Sequence, residues 1–151
     1  MSTATMTATA ERQVVAFRLG EETYAIDISY IHEIIRMRAI TFVPRAPHYM
    51  RGVINLRGRI VPVMDLSARL GLPTHEETPQ SRIIVVEIGN ESIGMIVDAV
   101  SEVLRLPEEQ IEPPTQMAGS ESANYISGLG KVNDRLVLLL DVEKVVENTG
   151  Q

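Results

Sequence analysis

Hydrophobic residues along this chain fall into short alternating or continuous runs broken by glycine, asparagine and acidic turns, and seldom at helical spacing. Residues 14–19, the Gly20-Glu21-Glu22 turn and residues 23–28 read as a β-hairpin, and residues 83–88 with Gly89-Asn90 open another. A further hairpin turns at Asn55-Leu56-Arg57-Gly58 and returns along residues 59–64. Pro62 lacks a ladder donor, so the pattern predicts that this return strand lies at a sheet edge. Asp65 is placed to cap a short helix over residues 66–70, ahead of Gly71, and Asp141 to cap residues 142–146. Ile31, Ile34 and Ile35 fit a helix or a strand equally, and their spacing leaves that open.

The pattern repeats. Residues 15–28 lie over residues 84–97, with Gly20 on Gly89, Glu22 on Glu91 and Tyr24 on Ile93; residues 31–35 lie over 100–104, with Glu33 on Glu102. Residues 52–66 lie over 128–142 at a larger offset, matching Gly52 to Gly128, Arg59 to Arg135 and Asp65 to Asp141. The larger offset implies an insertion in the second copy, for which the polar run 119–124 supplies a loop. Two copies, at about 14–71 and 83–147, are joined by the proline-containing segment 72–80. Short strands in two matched sets predict a mainly β fold of two small closed barrels with a few short helices, because closure removes exposed edges. Strands could be exchanged between the barrels, and the sequence leaves open which barrel owns each one.

Length and composition change this picture little. A chain of 151 residues with 44% hydrophobic and 23% charged residues has the balance of one folded domain, here expected over 12–148. Residues 1–11, rich in Thr and Ala without periodicity, are expected as a disordered, dispensable tail rather than a signal peptide. No apolar run approaches the ~20 residues of a membrane span. The net charge of −6 is the wrong sign for nucleic acid, and two Phe, four Tyr and no Trp provide no stacking platform for single strands.

A search for chemistry finds no assembled site. With no cysteine, disulfides and thiolate ligands are excluded; His32, His48 and His75 have no partner at metal-ligand spacing, so neither metal nor cofactor is expected. A nucleophile elbow and a Walker phosphate loop are absent, and Gly128-Leu129-Gly130 lacks the third glycine of a dinucleotide fingerprint. The paired carboxylates Glu21-Glu22, Glu76-Glu77 and Glu108-Glu109 fall in turns, where solvated charge is ordinary. Catalysis is disfavoured, and binding to other proteins remains.

The stretch from Arg51 through Leu66, R-G-V-I-N-L-R-G-R-I-V-P-V-M-D-L, resembles the CheW family of chemotaxis adaptors. Residues 22–28, 31–34, 94–100 and 125–130 extend the resemblance over essentially the whole folded chain. It implies two pseudo-repeated, SH3-like five-stranded barrels and a non-catalytic adaptor that couples the cytoplasmic tip of chemoreceptors to the regulatory domain of the histidine kinase CheA. By motif position, Ile31, Glu33, Gly52, Asn55, Arg57, Val100 and Val103 would belong to the receptor cleft. Ile83, Glu91, Ile93, Met95, Glu112 and Met117 would face the kinase. Ile31, Val100 and Val103 fit plain core equally well. Arg57 is read as an interaction residue, since Gly58 satisfies the turn without it, and Glu33 would hold it if the two motifs meet. The resemblance further implies a cytoplasmic protein, monomeric alone, recruited into membrane-associated receptor arrays. An adaptor of a non-motility chemosensory array stays open beside this, as does a small barrel that binds a ligand or nucleic acid.

Overall fold

Each hairpin closes on a two-residue loop that demands positive φ, which explains the turn residues. In the computed structural model, which describes residues 10–114 and 122–147, β1 (Glu11–Leu19) turns through Gly20 at φ 64° into β2 (Glu22–Asp27). Likewise β6 (Arg82–Ile88) turns through Gly89 at φ 63° into β7 (Glu91–Val97). The loop between β4 (Met50–Leu56) and β5 (Arg59–Asp65) is Arg57-Gly58, and that between β9 (Ile126–Val132) and β10 (Arg135–Leu140) is Asn133-Asp134. Both residues of each latter loop have positive φ, the arrangement whose twist matches antiparallel strands. The first of these turns is thus two residues, not the four read from the sequence.

Among the described residues, ten strands form two five-stranded sheets. The first barrel is ordered β8-β1-β2-β10-β9 and the second β3-β6-β7-β5-β4, where β3 is Ile31–Arg36 and β8 is Ala99–Pro107. Each sheet therefore combines a hairpin of one sequence copy with three strands of the other. The exchange obeys a pseudo-two-fold rule, since the one parallel pairing in each sheet, β2 with β10 and β7 with β5, joins equivalent strands. One edge of each sheet is bridged by the chain that follows the opposite terminal strand. Thr41 and Val53 exchange backbone hydrogen bonds of 2.8 and 2.9 Å and so join the chain after β3 to β4. Glu112 and Leu129 do the same between the chain after β8 and β9, at 2.8 and 2.7 Å.

Three apolar clusters follow from this exchange. Val14, Ala25, Leu106, Val137 and Leu139 fill the first barrel, and Ile54, Leu56, Val61, Val63, Ile83, Val85 and Ile96 fill the second. A larger cluster, including Phe17, Tyr24, Met64, Ile84 and Met95, lies between the barrels. Asp65 and Asp141 accept hydrogen bonds from the N3 amides of α1 (Leu66–Arg69) and α2 (Val142–Val146), as their capping positions predict. Arg69, from α1, donates at 2.7 Å to each of the carbonyls of Val145 and Glu147 and lies 4.5 Å from the Tyr49 ring and 5.2 Å from that of Tyr125. It ties the end of α2 to the other half of the molecule.

Three expectations change. Residues 31–35, left open between helix and strand, lie in β3. The strand bearing Pro62 is not an edge: β5 pairs with β4 on one side and β7 on the other. The parallel pairing begins only at Val63, so the missing Pro62 amide falls where no ladder bond is due on that side. Glu11, expected at the end of a tail, opens β1 opposite Pro107; residues 1–9 lie outside the described residues, as do residues 119–121 of the expected 119–124 loop, whose remainder starts the 3-10 turn Ser122–Tyr125.

Candidate functional site: the seam of the second barrel

β3 and β4 are the two terminal strands of the second sheet, and side chains complete the closure that the backbone leaves open between them. Arg57 donates from Nη1 to Glu33 Oε2 at 2.6 Å and from Nη2 to Glu33 Oε1 at 2.8 Å, a two-pronged contact across the seam. This hydrogen bonding, chiefly, holds the Glu33 carboxyl below its ordinary value of 4.5; the charges of Arg57, His32 and Arg38 act the same way and partial desolvation opposes them. Arg57 is correspondingly raised by the bond to Glu33. Arg38 reinforces the seam by donating to the Asn55 carbonyl at 3.2 Å.

The hairpin is shaped to deliver Arg57. Asn55 Oδ1 accepts from the Gly58 amide at 2.8 Å, fixing the loop, while Arg57 itself sits at φ 52°, where a non-glycine residue is disfavoured. The turn therefore does constrain residue 57, and the arginine occupies it despite the backbone preference. Gly52 has φ 143°, and a Cβ there would collide with the carbonyl of Thr41; only glycine lets β4 approach the closing bridge. Beside this pair, His32 places its ring nitrogens 3.6 Å each from Glu33 and Glu87, and Arg59 reaches Glu87 at 3.7 Å and Ser92 Oγ at 2.9 Å.

Of the residues expected at a receptor cleft, the fold gathers Glu33, Asn55 and Arg57 at the seam, with Gly52 at its base. Ile31 and Val100, equivalent in the repeat, pack half-buried against the shared core, each on its own barrel. Val103 is 53% exposed on β8 of the first barrel. The expected kinase face needs correction. Ile83 is fully buried inside the second barrel, and Ile93 and Met95 lie in the core between barrels, so none presents a side chain to a partner. β6 and β7 are covered on both faces, one by each core. Glu91 and Glu112 are exposed, and Met117 lies outside the described residues.

Sequence reasoning missed Arg38, which no motif includes, and the exposed apolar pair Ile60 and Leu136, 65% and 53% exposed at matching positions of the two return strands. Their signal was available, since Ile60 follows Arg59 as Leu136 follows Arg135. It also missed Phe42, 72% exposed immediately after the Thr41 bridge. Among the described residues, no cluster of three or more His, Asp or Glu side chains could hold a metal ion, and no helix is long and apolar enough to cross a membrane.

Two pseudo-repeated SH3-like barrels about one core, with the ionic cluster on an outer seam, define a mainly β double-barrel module. Residues 13–149 match the CheW-like domain, and the chain belongs to that family. It is 33% identical over 139 residues to a probable chemotaxis protein CheW of Rhizobium etli, covering 92% of this chain and 90% of that protein. To chemotaxis protein CheW of Thermotoga maritima it is 36% identical, over 91% of this chain and 89% of the relative. The crystal structure of the scaffolding protein TtCheW from Thermoanaerobacter tengcongensis superposes with a TM-score of 0.85 at 37% identity, covering 94% and 97% of the two chains.

Proposed function

We propose that this protein is a chemotaxis coupling adaptor that joins the cytoplasmic tip of a chemoreceptor to the regulatory domain of the histidine kinase CheA, acting in the cytoplasm within membrane-associated arrays. Its work is geometric. Holding two partners at once raises their effective concentration and lets a conformational change in one bias the other, with no bond made or broken by the adaptor. The observation that carries the reading is the Glu33–Arg57 pair: an exposed arginine held in an unfavourable turn conformation, presented by a family-typical motif across a barrel seam. Ile31, Gly52 and Asn55 would frame the receptor contact, with Val100 and Val103 from the other barrel. On the kinase side, Glu91 and Glu112 are the exposed members of the expected set.

The test is reconstitution. Receptor-containing vesicles and purified kinase from one species should show receptor-dependent autophosphorylation only after this chain is added. Equal kinase activity with and without it, together with no co-sedimentation, would remove the proposal.

A further inference from the structure

A second feature of β3 lies apart from the seam. Arg36 and Arg82 are direct cross-strand partners at the end of the β3–β6 ladder, a placement in which like charges disfavour the pairing. At the matching point of the first barrel the fold sets Arg105 opposite neutral Gln13, so the architecture does not require two cations there. Neither Arg36 nor Arg82 makes an ion pair among the described residues. Arg82 donates from Nη1 to the carbonyls of Pro79 and Ser81, at 2.9 and 2.8 Å, which fixes its guanidinium; Arg36 is exposed. Both line a groove of about 440 Å³ with Met37, Thr78 and Ser81, where Glu77 is the carboxylate present.

We propose that Arg36 and Arg82 form a docking site for the paired carboxylates of an acidic segment on a protein partner. An incoming carboxylate between the two guanidinium groups would relieve their repulsion, so the pair is unfavourable alone and favourable in a complex. The surroundings fit a polypeptide better than a bare phosphate. Met37 in the groove and half-exposed Ile34, 38% accessible two residues before Arg36, offer apolar contact beside the charge. The segments 31–65 and 82–97 that build this barrel also hold more arginines than carboxylates, against the sign of the whole chain.

The experiment uses the full-length ¹⁵N-labelled chain at low salt, titrated separately with a hexaglutamate peptide, inorganic phosphate and phosphatidylglycerol vesicles, and does not depend on the adaptor reading. Hexaglutamate should give saturable shifts at the Arg36 and Arg82 side chains and at the amides of 77–82. Arg36→Glu should weaken that binding about tenfold or more while raising the urea midpoint, since it sets opposite charges across the ladder. Absence of saturable shifts, shifts unchanged in Arg36→Glu, or a lowered urea midpoint would overturn the site. Stronger binding of phosphate or vesicles at the same residues would overturn the assignment to an acidic polypeptide.

Discussion

Arg57 and Glu33, 24 residues apart, meet across the seam of the second barrel through two hydrogen bonds of 2.6 and 2.8 Å. The carboxylate is held below its ordinary 4.5, so the pair stabilises the fold fully above that pH, and the contribution disappears as the pH falls through the lowered value. Comparing urea midpoints of the wild type and Glu33→Gln across pH should show a difference at neutral pH that closes below 4.5. A difference that grows on acidification would contradict the pairing.

Gly52 is the backbone's part of the same seam. Gly52→Ala should destabilise by about 2–4 kcal/mol, because it combines a strained φ with a collision at the Thr41 carbonyl. Gly58→Ala, at φ 86° but with open space around its Cβ position, should lose less. Chemical denaturation of the two variants gives the comparison directly, and equal losses would show that the close approach to Thr41 is unimportant.

The β6–β7 hairpin, expected from the motif to face a kinase, separates into core and surface. Met95→Ala should destabilise by about 2–5 kcal/mol, as expected for a fully buried side chain in the inter-barrel core. Glu91→Ala, exposed at the start of β7, should change stability by no more than ~0.5 kcal/mol. Any selective loss of kinase binding without loss of stability belongs to the Glu91 variant; if Met95→Ala stays fully stable and alone loses binding, the hairpin is packed differently.

The sequence disclosed the duplication, the hairpins and both helix caps because each depends on local chemistry: Gly20 and Gly89 turn the chain, and Asp65 and Asp141 cap the next turn of helix. What it hid depends on partners distant in the chain. Pro62 read as an edge signal since nothing nearby shows that β7 joins β5 only from Val63 onward. The motif assigns Ile83 and Met95 to a partner-facing surface, whereas the unbroken apolar run 83–86 is the mark of a strand covered on both faces. Asn55 and Arg57 were legible by motif, but the backbone conformation at Arg57 emerges only when the loop closes on two residues.

The caps supply a check on the pseudo-symmetry. Asp65→Ala and Asp141→Ala each remove one 3.2 Å bond to an N3 amide, so each should destabilise by about 1 kcal/mol. Urea titration of the single and double variants should give additive losses, since the two caps share no hydrogen bond. A loss confined to one cap would mean that the two copies are not energetically equivalent.

If Arg57 is displayed for a partner and not retained for folding, receptor-dependent kinase autophosphorylation reconstituted with wild type, Arg57→Ala and Arg57→Glu reads that role directly. At neutral pH Arg57→Ala should lower the urea midpoint by no more than Glu33→Gln does, a small loss because the side chain is 70% exposed, and Arg57→Glu should remain folded. Kinase stimulation should fall with Arg57→Ala and fall further with Arg57→Glu, which presents the opposite charge beside Glu33. Full stimulation by the folded Arg57→Glu protein would contradict the account.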